Sequence, residues 1–201
     1  MEAVTIDAFG TLLALRDPTP ALRRALAARG VARSREEVRS AFQAEVDYYE
    51  LRSHEGRDEA TLALLRRDCA AVFLEAAGAA LDPAEFAPAF VGSLVFEELS
   101  GAAEACRTLA AAGLKLAVVS NWDIGLHDHL QAPIEVVVTS AEAGAPKPDP
   151  AIFELALKRL GASAKRSVHV GDSPADEEGA RAAGMRFEPA PLADAVRRIL
   201  V

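Results

Sequence analysis

The chain has 201 residues, 51% apolar and 26% charged, enough to bury a sizeable core as one domain or as one domain carrying an insertion. Its 30 acidic against 22 basic residues leave a net charge of −8, which gives no basic surplus to neutralise a phosphate backbone and argues against a nucleic-acid partner. No apolar run approaches the ~20 residues needed to cross a bilayer, and no basic segment precedes the first apolar run, so no membrane partner is expected and the chain reads as cytoplasmic.

The first β-rich run is Val4-Thr5-Ile6. From about Pro18 to Phe96 the pattern turns to successive amphipathic helices with no convincing strand. Two helix starts there are explicit: Ser34 to Glu37 has capping-box spacing, and Asp82-Pro83-Ala84-Glu85 joins an N-cap, a proline at the first helical position and an acid two positions later. From Gly101 helix and strand alternate. Helices are predicted over Gly101–Ala112, Ile124–Leu130, Pro150–Leu160, Pro174–Ala183 and Leu192–Leu200, and strands over Leu114–Val119, Glu135–Thr139, Ser167–Val170 and Met185–Phe187. Several strands are nearly continuous apolar runs, as in parallel sheets covered on both faces. The domain reading is an α/β core of residues 1–16 and 97–201 interrupted by a helical subdomain over 17–96. Cys69 and Cys106 lie in Ala/Leu-rich helical segments without metal-binding spacing and are expected as buried free thiols.

Ligands of open parallel sheets bind beyond the carboxyl ends of the strands, so polar residues directly after apolar runs come first. Asp7 opens Asp-Ala-Phe-Gly-Thr-Leu after Val4-Thr5-Ile6; Ser120-Asn121 follows Leu116 to Val119; Gly171-Asp172-Ser173-Pro174-Ala175-Asp176 follows Val168-His169-Val170. Lys147-Pro148-Asp149-Pro150 precedes a helix, and only four of the 22 basic residues are lysines. Taken singly, Asp7 reads equally as a turn cap, Ser120 as a strand-end hydrogen bonder and Lys147 as a loop cation.

In this order, with a helical insertion after the first motif, the four elements resemble the haloacid dehalogenase superfamily, specifically its members with a helical cap between motifs one and two. The resemblance covers essentially the whole chain. It implies a Rossmann-like, mostly parallel α/β core with an inserted helical-bundle cap able to close over a site at the junction. It further implies Asp7 as covalent nucleophile, with Ser120 and Lys147 completing the catalytic set and Thr11, Ser120, Asn121 and Lys147 contacting substrate. Two carboxylates side by side repel unless a hard cation bridges them. Mg2+ is therefore implied, and by the resemblance its protein ligands would be the Asp7 carboxylate, the backbone carbonyl of Phe9 and Asp172, with Asp176 supporting from behind or capping its helix.

The sequence departs from the family's phosphatases at Phe9, where they carry a second aspartate that protonates the leaving oxygen and activates water. Loss of a positioned acid-base removes about 10²- to 10⁴-fold in rate. A departing halide needs no proton, and dehalogenases of the family have an aromatic residue at this place. Against dehalogenation stand Asp172, where those enzymes carry a neutral residue, Phe153 in place of a tyrosine, and Gln43 near the place of a carboxylate-binding arginine. The favoured reading is a magnesium-dependent phosphohydrolase acting on a small phosphorylated molecule with a good leaving group or its own acid. The alternatives are a 2-haloacid dehalogenase-like hydrolase and a weakened phospho-ligand binder. No chemistry is assigned to His54, His127, His129 or His169, the last read as a satisfied sheet residue, and Trp122, Tyr48 and Tyr49 are explained as well by packing.

Overall fold

The computed structural model describes residues 1–130 and 134–201. In chain order, β1 (Ala3–Ile6) and β2 (Leu13–Leu15) precede helices α1 (Thr19–Ala27), α2 (Arg35–Arg52), α3 (Glu59–Ala76) and α4 (Pro83–Val91) and strand β3 (Phe96–Glu98). Then follow α5 (Ala102–Ala111), β4 (Lys115–Ser120), β5 (Val136–Thr139), α6 (Ser140–Ala143), α7 (Ala151–Leu160), β6 (Ser167–Gly171), α8 (Pro174–Ala182), β7 (Arg186–Pro189) and α9 (Leu192–Leu200). The chain divides into two compact units, Met1–Ala14 with Glu97–Val201, and Leu15–Phe96.

In the first unit five strands form a parallel sheet in the order β5-β4-β1-β6-β7. The α/β class expected from the alternating pattern is the class observed. β1 is central, with Ile6 level with Val118 of β4 and Val170 of β6. The chain leaves β1 toward β4 on one side and returns to β6 on the other, so the carboxyl end of β1 is the switch point where such sheets bind ligands. β1 and β6 are buried along their whole length, which explains why they read as apolar runs rather than alternating ones. One sheet face packs Ala3, Ala117, Val119 and Val138 on Ile152, Phe153 and Ala156 of α7 and Ala180 of α8.

The second unit is built on α1 to α4. Leu22, Leu26, Val38, Leu65, Phe73, Phe86 and Phe90 share its core, with Phe73 stacked on Phe86 at 6.0 Å between ring centroids. Ser34 and Glu37 form a reciprocal capping box, and Asp82 accepts the N–H groups of Ala84 and Glu85 at 2.7 and 3.3 Å. Cys69 and Cys106 are buried thiols, not joined in a disulfide among the described residues. Among the described residues no helix is long and apolar enough to cross a membrane.

Several elements differ from the sequence reading. β2 and β3 pair with one another where the chain passes between the units, but at three residues each they are too short to show a period. Ile124–His129 is a 3-10 helix rather than an α-helix, its N-terminus capped by Asp123. α6 is a four-residue helix launched by a Thr139–Glu142 capping box. Met185 falls outside β7 because its N–H closes α8 by donating to Ala180 at 2.9 Å.

Candidate active site

The backbone of Asp7 continues β1, its N–H donating to the Val170 carbonyl at 2.8 Å, so the carboxylate stands directly at the sheet's switch point, 4% exposed. A tight turn follows, in which the N–H groups of Leu12 and Leu13 both converge on the Ala8 carbonyl at 2.8 Å. Gly10 lies in this turn at φ +83°, and a Cβ there would overlap the Asp172 carboxylate. The glycine is required twice, by its backbone conformation and by the close approach of Asp172. The Phe9 side chain points outward, 51% exposed.

Ser120 ends β4 and donates to Asp7 Oδ1 at 3.1 Å. Lys147 comes from the loop between α6 and α7, and its ammonium meets Asp7 Oδ1, Asp176 Oδ1 at 2.6 Å and the Val119 carbonyl at 3.2 Å. Three protons thus find three acceptors in a site where the lysine is 7% exposed. The backbone of Lys147 is clamped in turn, since its N–H donates to Asn121 Oδ1 at 2.7 Å and its carbonyl accepts Asn121 Nδ2 at 3.1 Å.

Asp176 sits in the first turn of α8 and is 1% exposed. Its Oδ2 accepts the N–H and hydroxyl of Ser173 at 3.1 and 2.6 Å, while Oδ1 takes Lys147 and, at 2.9 Å, the Nε2 of His169. Gly171 leaves room for it, since a Cβ there would collide with the Asp176 side chain. Carboxylate oxygens of Asp7, Asp172 and Asp176 lie within 4.8 Å of one another, with Asp172 exposed.

Burial works against the charge of Lys147, but the Asp7 and Asp176 carboxylates outweigh it and hold the ammonium above its ordinary range. Burial likewise opposes ionisation of Asp176, yet the His169 hydrogen bond and the Lys147 charge bring its carboxyl well below the usual carboxylate range. Asp172 goes the other way, raised first by desolvation and then by the charges of Asp7 and Asp176. Three carboxylates against one ammonium leave the cluster with excess negative charge, the condition under which a hard divalent cation binds oxygen ligands. Asp176 already has all its oxygens engaged by protein donors, so Asp7 and Asp172 are the carboxylates that could hold such an ion.

Residues 1–184 match the haloacid dehalogenase-like hydrolases. The chain belongs to that family. Within it, the chain is 41% identical over 118 residues to haloacid dehalogenase-like hydrolase domain-containing protein 3 of Bos taurus, covering 54% of this chain and 47% of that protein. It is 40% identical over 88 residues to glyceraldehyde 3-phosphate phosphatase of Methanothermobacter thermautotrophicus, covering 38% and 37%. The matches therefore span less than half the length of these curated relatives. The L-2-haloacid dehalogenase of Xanthobacter autotrophicus has a similar structure, with a TM-score of 0.65 at 25% identity over 93% of this chain and 76% of that one.

Of the positions read from the hydrolase motifs, Asp7, Ser120, Lys147 and Asp176 form one connected network, and Asp172 faces Asp7 from the exposed side. Asn121 is turned onto the Lys147 backbone. Thr11 is 3% exposed, and its buried hydroxyl makes no hydrogen bond among the described residues. Gln43 is exposed on α2 and bonds Asp47 at 2.8 Å. Phe153 is fully buried in the sheet core. The sequence reading assigned no role to His169, which contacts this network. The available signal was the polar pair Thr5 and His169, level with each other between apolar neighbours on two adjacent strands.

Proposed function

We propose that this hydrolase is a magnesium-dependent phosphohydrolase of small phosphorylated molecules, working through a covalent intermediate on Asp7. The observation that carries the reading is the second carboxylate, Asp172, within 4.8 Å of Asp7. Such a pair is stable with a hard cation between its oxygens and has no use in a site that displaces halide without metal. The donor set, two carboxylates and a backbone carbonyl, all oxygen, suits Mg2+ held by Asp7, Asp172 and the Phe9 carbonyl. When bound, the ion would neutralise charge on the transferring phosphoryl oxygens.

The protein's own groups supply the rest. Ser120 and Lys147 both hold Oδ1 of Asp7, fixing the carboxylate for attack on phosphorus. The Asp7 oxygen–phosphorus bond forms as the bond to the leaving oxygen breaks, giving an acyl phosphate; water then attacks phosphorus, releasing inorganic phosphate and restoring the carboxylate. Lys147 and the Ser120 hydroxyl are close enough to stabilise charge during transfer. Phe9 offers no proton, so the leaving oxygen must depart as a stable anion or be protonated from the substrate itself. That restricts turnover to activated phosphates such as acyl, aryl or enol phosphates, or to esters that carry their own acid. The exposed aromatic ring of Phe9 is the feature that favours the second reading, 2-haloacid dehalogenation.

Hydrolysis of an activated aryl phosphate and of a 2-haloacid, each with magnesium and with chelator, separates them. The expected result is magnesium-dependent phosphate release that disappears in Asp7→Asn. Chelator-resistant halide release would replace this reading with dehalogenation, and tight phosphate binding without turnover would replace it with a phospho-ligand binder.

A further inference from the structure

We propose that His169 is a positioning residue for the reaction assigned to Asp7: it fixes the Asp176 carboxylate in the orientation that presents the Lys147 ammonium to the nucleophile. The proposal rests on the phosphohydrolase reading for its kinetic consequence and on geometry for its structural one.

His169 is fully buried on β6, level with Thr5 on the neighbouring β1. Its Nδ1 lies 2.8 Å from Thr5 Oγ1 and its Nε2 2.9 Å from Asp176 Oδ1. Phe153 and the imidazole form a T-shaped pair at 4.9 Å between centroids, and Phe187 lies at 6.4 Å. Two hydrogen bonds and two aromatic neighbours leave the imidazole one orientation. Asp176, as a carboxylate, can only accept, so Nε2 carries the hydrogen. Burial lowers the imidazole pKa, opposed by the Asp176 hydrogen bond and aided by the Lys147 charge; in the neutral ring with its hydrogen on Nε2, Nδ1 is the acceptor for the Thr5 hydroxyl.

Lys147 needs this support because its side chain is a flexible stem bearing a compact charge. Asn121 fixes its backbone, but the position of its ammonium depends on the acceptors. One of these, the Val119 carbonyl, is strand backbone; Asp7 and Asp176 are side chains with their own torsions, and Asp7 is held in addition by the Ser120 hydroxyl. Ser173 restrains only Oδ2 of Asp176. His169, rigid in the central sheet, restrains Oδ1, the oxygen that Lys147 uses.

Lysine-selective 15N NMR tests this independently of turnover. Of the four lysines, Lys115, Lys158 and Lys165 are exposed and Lys147 is buried, so one slowly exchanging ammonium signal, absent in Lys147→Arg, is expected. His169→Leu, apolar and of similar bulk, should fold yet lose that signal, and its kcat on an activated aryl phosphate should fall roughly 10- to 100-fold with KM within about threefold. His169→Gln, which restores an N–H donor, should recover both. An unchanged ammonium signal or kcat in His169→Leu, a glutamine variant as impaired as the leucine one, or no protected signal in the parent protein would each overturn the proposal. A parent protein inactive on every phosphate ester would overturn the functional reading, while the ammonium signal still decides the role of His169.

Discussion

By the resemblance to the family's phosphatases, Phe9 stands where they carry their acid-base, and its ring is 51% exposed, so replacing it disturbs little packing. Phe9→Asp is expected to raise kcat on an alkyl phosphate by about 10²-fold with little change on an aryl phosphate, because only the poorer leaving group needs the proton. Equal effects on both substrates would contradict this explanation of the departure. Lys147 carries the opposite expectation. Lys147→Met leaves Asp7 and Asp176 buried without their shared cation, at a cost of about 3–5 kcal/mol, measurable by denaturant unfolding, together with loss of turnover. Asp7, Ser120 and Asp172 were legible because each follows an apolar strand, where a polar residue is conspicuous. Asn121 was read as a substrate contact; its hold on the Lys147 backbone, 26 residues beyond, and the link of His169 to Thr5, 164 residues before it, were not legible, because both depend on partners fixed by tertiary structure.

At the scale of elements, the helices of the second unit were legible from their caps and periodicity, whereas β2 and β3 were too short to announce themselves. One helix carries a buried acid that periodicity alone does not explain. Glu45 of α2 is 4% exposed, and burial pushes its carboxyl up to about 7, against a smaller lowering by a hydrogen bond with Cys69 of α3. Since the unfolded value is 4.5, the folded state holds an extra proton between the two values. The contribution of Glu45 to stability is therefore fully present below 4.5 and is lost as pH rises through about 7, a change of up to about 3 kcal/mol at 1.36 kcal/mol per pH unit. Glu45→Gln should remove this component, so that its stability advantage over the parent grows from about pH 5 to about pH 8 in urea titrations. A difference independent of pH would mean that Glu45 is not buried as a neutral acid.

For the whole molecule, the parallel sheet order places the ends of β1, β4 and β6 side by side, and that adjacency converts three separate motifs into one cluster of charge. If Asp7 and Asp172 share a cation, magnesium should stabilise the fold by mass action, about 2.7 kcal/mol at a hundredfold excess over Kd, read as a rise in Tm that Asp172→Asn abolishes. The same rise in that variant would place the ion elsewhere. The covalent intermediate tests the account most directly. The protein is mixed with an activated aryl phosphate and magnesium, quenched in acid within the first turnover, and the peptide containing Asp7 is weighed by mass spectrometry. The expected result is a peptide heavier by one phosphoryl group on Asp7, absent in Asp7→Asn. Phosphate release that continues at the parent rate in Asp7→Asn, or a phosphoryl group on any other residue, would contradict it.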